Sequence, residues 1–186
     1  MKNKIILLFS IAAFMMLNCS AQQLPDLTSD GYAKLIIEKK GAKPITYNFP
    51  GAFPSGLKCV KHTGTTTAEN YTDILFGHSF DNSDGTQTLV TVTMRFWPNN
   101  VGSFKLPING DQNSEGHITI NIDKGNLETI LLDDSPEKGT GGSISIENYP
   151  TAEGGKIKGI FDAKLMDAKD NIYHVSGAFN IKRKNE

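Results

Sequence analysis

The chain has 186 residues, with 19 lysines and arginines against 20 aspartates and glutamates and a formal net charge of −1. That balance offers no electrostatic footprint for nucleic acid. A hydrophobic content of 38% suits a folded domain with a sizeable core rather than a disordered chain.

The opening stretch, MKNKIILLFSIAAFMMLNCSAQQ, places Lys2 and Lys4 before an apolar run from Ile5 to Leu17, followed by small and polar residues. This layout reads as a secretory signal peptide over residues 1–21, and the run is too short for a permanent membrane-spanning helix. Two cleavage readings stand side by side. In one, Cys19 and Ala21 supply the small residues of a cut after Ala21, and the protein is secreted. In the other, Met16, Leu17, Asn18 and Cys19 form a lipobox, the cut falls before Cys19, and lipidation of Cys19 anchors the protein to a membrane leaflet. Each buried methylene of the anchor then contributes roughly 0.8 kcal/mol. Under both readings Cys59 has no intramolecular disulfide partner, because the chain holds only two cysteines. Cys59 therefore reads as a small buried hydrophobe in a strand. A polar linker over 22–30 leads into a single domain over 31–184.

From Gly31 onward period-two alternation dominates. GYAKLIIE (31–38) and PITYNF (44–49) are two strands joined by a hairpin-like break containing Gly41. YTDILFGHSF (71–80) sets Thr72, Ile74, Phe76, His78 and Phe80 on one face. TLVTVTMRF (88–96) sets Val90, Val92, Met94 and Phe96 on one face and Thr91, Thr93 and Arg95 on the other, with DNSDG as the turn between these runs. VGSFKLP (101–107), HITINI (117–122), LETILL (127–132) and GSISIENY (142–149) add further strands, separated by loops rich in Gly, Asn, Asp and Pro. TTTAENY (65–71) has room for one helical turn. The expected fold is all-β, an antiparallel sandwich of about nine to eleven strands, with a lipocalin-like closed barrel as the alternative.

The last two strands carry a register prediction. Ile157, Gly159, Phe161, Ala163 and Leu165 share one face, as do Tyr173, Val175, Gly177, Phe179 and Ile181. Pairing them around a loop of Ala168, Lys169 and Asp170 sets Phe161 opposite Gly177 and Phe179 opposite Gly159. Each ring then lies over the backbone of the glycine facing it, recovering contact that glycine forfeits, at roughly 0.2 to 1 kcal/mol per pair. A β-bulge or tight bend at each glycine is the competing reading.

VGSFKLP, GSISIENY, GGKIKGIFDAKL and VSGAFNIKR resemble the successive motifs of a family of small uncharacterised bacterial lipoproteins, in which a Gly-x-aromatic strand precedes a central strand and a C-terminal Gly-x-Phe hairpin. The resemblance covers roughly the last 85 residues. It implies an exported, lipid-anchored all-β domain of unknown function and carries over no catalytic residue.

In DQNSEGHITINI, Asp111, Asn113, Glu115 and Gly116 fit the first half of a calcium loop, but Ile122 stands where a bidentate carboxylate is needed, so a solvated loop is expected. His62, His78, His117 and His174 lack metal-ligand spacing, and a zinc site would have to be assembled across strands. GHSFD lacks the closing glycine of a nucleophile elbow, which leaves Ser79 an ordinary strand residue. EKGTGGS lacks the Lys-Ser/Thr pair of a phosphate loop. Trp97 reads as a plug at the end of the core, with stacking on a sugar or anchoring of a partner as the alternative. Lys182 to Lys184 reads as a solvated tail.

No catalytic residue, metal or cofactor is expected. The preferred function is an exported, non-enzymatic module of the cell envelope, in the outer membrane or periplasm, that binds a protein or glycan partner. A carrier of a small apolar ligand comes second, and an enzyme acting on polysaccharide last.

Overall fold

A computed structural model describes residues 31–50, 56–66, 69–107, 114–125, 128–134 and 139–185. The signal peptide, Cys19, the linker, and Asp111 and Asn113 lie outside the described residues. Eleven strands account for nearly all regular structure: β1 (Gly31–Lys39), β2 (Ile45–Pro50), β3 (Leu57–Lys61), β4 (Thr72–Asp81), β5 (Gln87–Phe96), β6 (Gly102–Lys105), β7 (Gly116–Asp123), β8 (Thr129–Asp133), β9 (Gly141–Asn148), β10 (Lys156–Met166) and β11 (Ile172–Asn185). Among the described residues no helix is long and apolar enough to cross a membrane.

The fold is all-β, as the alternation predicts. All eleven strands belong to one mixed sheet in the order β2-β1-β11-β3-β4-β5-β7-β8-β10-β9-β6, with β10 also pairing β11. The pairing of β11 with β3 is parallel and sets Arg183 beside Cys59, while the other pairings are antiparallel. The sheet bends over a common core, so that the Phe76 ring of β4 comes within 6.5 Å of the Phe161 ring of β10.

Strict alternation builds that core. Inward positions on β5 are Val90, Val92, Met94 and Phe96, on β7 Ile118, Ile120 and Ile122, and on β1 Ala33, Leu35 and Ile37, all buried. A fully buried side chain of this kind contributes roughly 1.5 to 3 kcal/mol. The interior is filled by large side chains, among them Phe49, Phe76, Phe96, Phe161 and Phe179. Cys59 is a free, fully buried thiol, and burial pushes its pKa up to about 12, so it packs as a hydrophobe.

The terminal hairpin has the predicted register. Phe161 faces Gly177 and Gly159 faces Phe179. A methyl group on Gly159 would sit 2.7 Å from Phe179 Cζ and 2.6 Å from the Ser145 carbonyl oxygen. One on Gly177 would sit 2.5 Å from Phe161 Cε1. The rings occupy the space that side chains at these positions would need. The bulge reading holds as well on the other edge of β10, where pairing with β9 shifts between Lys158 and Gly159. The Asp167 carboxylate organises the turn, accepting from the Lys169 N–H at 2.8 Å, the Asn171 N–H at 3.0 Å and the Tyr173 hydroxyl at 3.1 Å. Desolvation pulls its pKa up, but these donors and the Asn171 side chain outweigh it and hold the carboxyl at about 2.

The basic C-terminus corrects the solvated-tail expectation. β11 continues to Asn185, and Arg183 is only 2% exposed. Its guanidinium carbon lies 5.6 Å from the Tyr149 ring centre, and it donates to the carbonyl oxygens of Pro150 and Thr151. The cause is parity: Arg183 follows Val175, Phe179 and Ile181 in the inward series, and a planar guanidinium can close the core where an ammonium would need water.

Candidate functional site

The alternation that sends even-numbered residues of β4, β5 and β7 inward sends the odd ones out. Register then aligns them: Asp73 stands opposite Arg95, Arg95 opposite His117, and Thr93 opposite Thr119. Trp97 follows Arg95 by two residues and falls on the same outer face. Asp73, Thr93, Arg95, Trp97, His117 and Thr119 line a cleft of about 360 Å³.

The cleft is held in place by a layered stack. Arg95 donates from Nε to Asp73 Oδ1 at 2.7 Å and from Nη2 to Oδ2 at 2.8 Å. The hydrogen bonds to Asp73 raise the guanidinium pKa further. Its carbon lies 4.1 Å from the Tyr71 ring centre, and the Tyr71 and His62 rings stack with centroids 4.3 Å apart at 21°. His62 Nε2 is 3.4 Å from Asp73 Oδ2, so the carboxylate joins the two ends of the stack. A bidentate pair fixed by ring stacking is pre-organised in a way that a lone surface ion pair is not.

The walls are tied to the body by hydrogen bonds. The Trp97 backbone N–H donates to the Glu115 carbonyl at 2.8 Å. Asn99 accepts from the Thr72 hydroxyl at 2.7 Å and donates to the His62 carbonyl at 2.9 Å. The Thr72 hydroxyl is also 2.8 Å from the Tyr149 hydroxyl. Residue 72 is fully buried, so the turn carrying Trp97 and the segment carrying His62 share one anchor at the core's edge.

Behind the cleft stands Asp134, 4% exposed. Its Oδ2 accepts the Ile118 N–H at 2.8 Å and lies 3.4 Å from His117 Nδ1. Burial pushes this carboxyl up to about 6, against the opposing pull of the Ile118 N–H and of His117. The His117 and Trp97 rings meet edge to face, with centroids 5.6 Å apart.

The structure brings some of the residues weighed in the sequence together and leaves others apart. His117 lines the cleft and His62 reaches its Asp73 at 3.4 Å, while His78 packs against Phe80 and His174 lies between Asp162 at 3.0 Å and Glu38 at 3.5 Å. Among the described residues no three His, Cys, Asp or Glu side chains form a metal-binding group. Ser79 donates to Gln87 at 3.3 Å, and the Glu115 side chain accepts the Lys105 N–H at 3.4 Å. Trp97 is a correction: it is half-buried on the outer face and lines the cleft, because the residue after inward Phe96 must point outward.

Sequence reasoning missed Tyr71, Asp73, Thr119 and Asp134 as site residues. The outward set Thr91, Thr93 and Arg95 was visible, but its neighbours depend on how β7 aligns with β5 across the segment from Trp97 to Glu115. Chemically, the cleft offers a paired carboxylate and guanidinium, threonine hydroxyls and an indole wall, which together suit a hydroxyl-rich ligand with an apolar face. The chain matches no family model, no curated protein and no solved structure.

Proposed function

We propose that the protein is an exported, non-enzymatic binding module of the cell envelope, held at a membrane by acylated Cys19, and that its outer cleft takes a saccharide. The observation that carries the ligand class is Trp97 beside the Asp73–Arg95 pair and Thr93 in one cleft. A sugar ring presents an apolar face that stacks on indole, while its vicinal hydroxyls donate to a carboxylate and accept from a guanidinium. Export and anchoring are supported by Lys2, Lys4, the apolar run to Leu17 and the lipobox-like Met16 to Cys19. The resemblance of VGSFKLP, GSISIENY, GGKIKGIFDAKL and VSGAFNIKR to small lipoproteins is in keeping with that reading.

Two measurements test the reading. On an array of bacterial glycans the wild-type protein should bind a subset, and Trp97→Ala should weaken it at least about tenfold, the effect expected of a lost stacking platform. No binding at all, or equal binding by the variant, removes the saccharide. Mass spectrometry of the native N-terminus should find diacylglycerol on Cys19; an unmodified Gln22 removes the anchor.

A further inference from the structure

We propose that the outer face of β1, β11 and β10, on the side of the molecule opposite the cleft, docks on an anionic lipid surface. For its orientation the proposal rests on the acylated Cys19 of the preceding reading; for its chemistry it does not.

Parity and register make the face. Ile157, Phe161, Val175, Phe179 and Ile181 point into the core, so the residues between them point out. Lys156 stands opposite Lys182, Lys158 opposite Asn180, and Ile160 opposite Ala178, whose other neighbour is Lys34 of β1. Like charges directly opposite each other on one face destabilise a sheet, so folding alone does not favour Lys156 beside Lys182. Lys164 of β10 and Lys105 of β6 extend the positive charge across the same face. Its carboxylates among the described residues are Glu38, Glu147 and Asp162, of which Glu147 meets Lys158 at 2.7 Å while Asp162 and Glu38 flank His174. Even with Glu153, in the turn ahead of β10, counted in, the lysines outnumber the carboxylates.

The opposite outer face has the other sign, with Asp73, Asp81, Asp123 and Asp133 against Lys58 and Arg95. Loss of Lys2 and Lys4 with the signal peptide takes the formal charge of the chain from −1 to −3. A cationic face on an acidic protein is therefore a local feature, complementary to an anionic surface.

Two observations favour a lipid leaflet as that surface. Ile160, two residues along from Lys158, is 48% exposed among the lysines, where an apolar side chain can enter the headgroup boundary. The second is where the tether enters. β1 starts at Gly31 opposite Ile181, next to Lys182, and Cys19 lies twelve residues upstream. A segment of that length reaches at most about 40 Å, so the acyl chains and the lysines meet the same leaflet. Each lysine close to an anionic leaflet raises partition about fivefold, which adds to the anchor. Docked in this way, the sheet turns its Trp97 cleft away from the membrane.

The test uses the mature chain from Gln22, which carries no acyl group, so its result is separate from that of mass spectrometry at the N-terminus. In about 0.1 M salt the chain should sediment with phosphatidylcholine vesicles containing about 30% phosphatidylglycerol and not with phosphatidylcholine alone, and about 0.5 M salt should release it. Lys158→Gln/Lys182→Gln should lower the partition coefficient at least about tenfold, while the charge-matched Lys58→Gln/Lys124→Gln, away from this face, should change it less than about twofold. No sedimentation with the anionic vesicles, equal sedimentation with the neutral ones, or equal losses in the two double variants overturns the proposal. Binding to a soluble acidic polysaccharide with none to the vesicles assigns the face to another partner and overturns it too. If Lys158→Gln/Lys182→Gln does not fold, spin-labelled phosphatidylglycerol in the vesicles serves on the wild type. It must broaden the amide signals of Lys158, Ile160 and Lys182 more than those of Thr93 and Thr119, and equal or reversed broadening is fatal.

Discussion

The β10–β11 hairpin and the β4–β5–β7 cleft are two faces of one sheet that solve opposite problems. In the hairpin, specificity comes from missing atoms: Gly159 and Gly177 leave space that Phe179 and Phe161 fill, and any other residue there meets a ring or a carbonyl. In the cleft, specificity comes from pairing: Asp73 with Arg95, Tyr71 with His62, and His117 with Asp134. The first arrangement is steric, buried and rigid, and fixes the register. The second is electrostatic and half-exposed, and sets an indole and threonine side chains along the cleft wall. Substitutions should accordingly divide into those that unfold the chain and those that alter only what the outer face does.

The largest effect is expected at the ring. Phe161→Ala should cost about 3 to 5 kcal/mol in denaturant unfolding, as a cavity opens between the two walls of the core. Gly177→Ala should cost about 1 to 3 kcal/mol, because the added methyl meets Phe161 and the Lys34 carbonyl. Combined with Phe161→Leu, Gly177→Ala should cost less than the sum of the two single changes by at least about 0.5 kcal/mol, since the smaller side chain vacates part of the space. Additivity would mean that the ring and the glycine are not a pair.

Smaller effects separate the two carboxylates by their pH dependence. Asp134 is raised to about 6, so its contribution to stability is fully present below the ordinary aspartate range and is lost as pH rises through 6. Asp134→Asn should therefore stabilise the protein by about 1 to 2 kcal/mol at about pH 8 and confer no advantage at about pH 4. Asp167 is held at about 2, so its contribution is present above the ordinary aspartate range and is lost as pH falls toward 2. Asp167→Ala should destabilise by about 1 kcal/mol at neutral pH, with the difference fading in acid. Thermal melts across pH check both, and parallel pH profiles for the two variants would contradict the assignment.

How far the sequence carried each region follows from the same contrast. Hairpin pairing is set by a short loop, so aligning the odd-numbered rings and glycines of two adjacent runs was enough to place Phe161 on Gly177. The cleft joins residues from β4, β5 and β7, and β7 pairs with β5 while β6, which lies between them in the chain, pairs with β9 instead. Nothing local in that stretch encodes the alignment of Arg95 with His117. Two misreadings came from letting position along the chain outrank parity. Trp97 reads as core because it ends a strand of inward apolar residues, and Arg183 as tail because its basic cluster lies at the C-terminus, yet strict alternation assigns Trp97 outward and Arg183 inward. The partial parallel pairing of β11 with β3 had no signal in either run, because each is only three residues long where they meet.

The most direct test of saccharide binding through the outer cleft uses the lone indole. In a ¹⁵N-labelled protein its N–H gives one cross-peak, which can be followed while neutral oligosaccharides from bacterial envelopes are added. Binding at the cleft should shift that peak together with the amides of Thr93, Arg95 and Thr119, and leave those of Gly159 and Gly177 unmoved. Saccharide binding that shifts other amides while the indole and its neighbours stay still would contradict it.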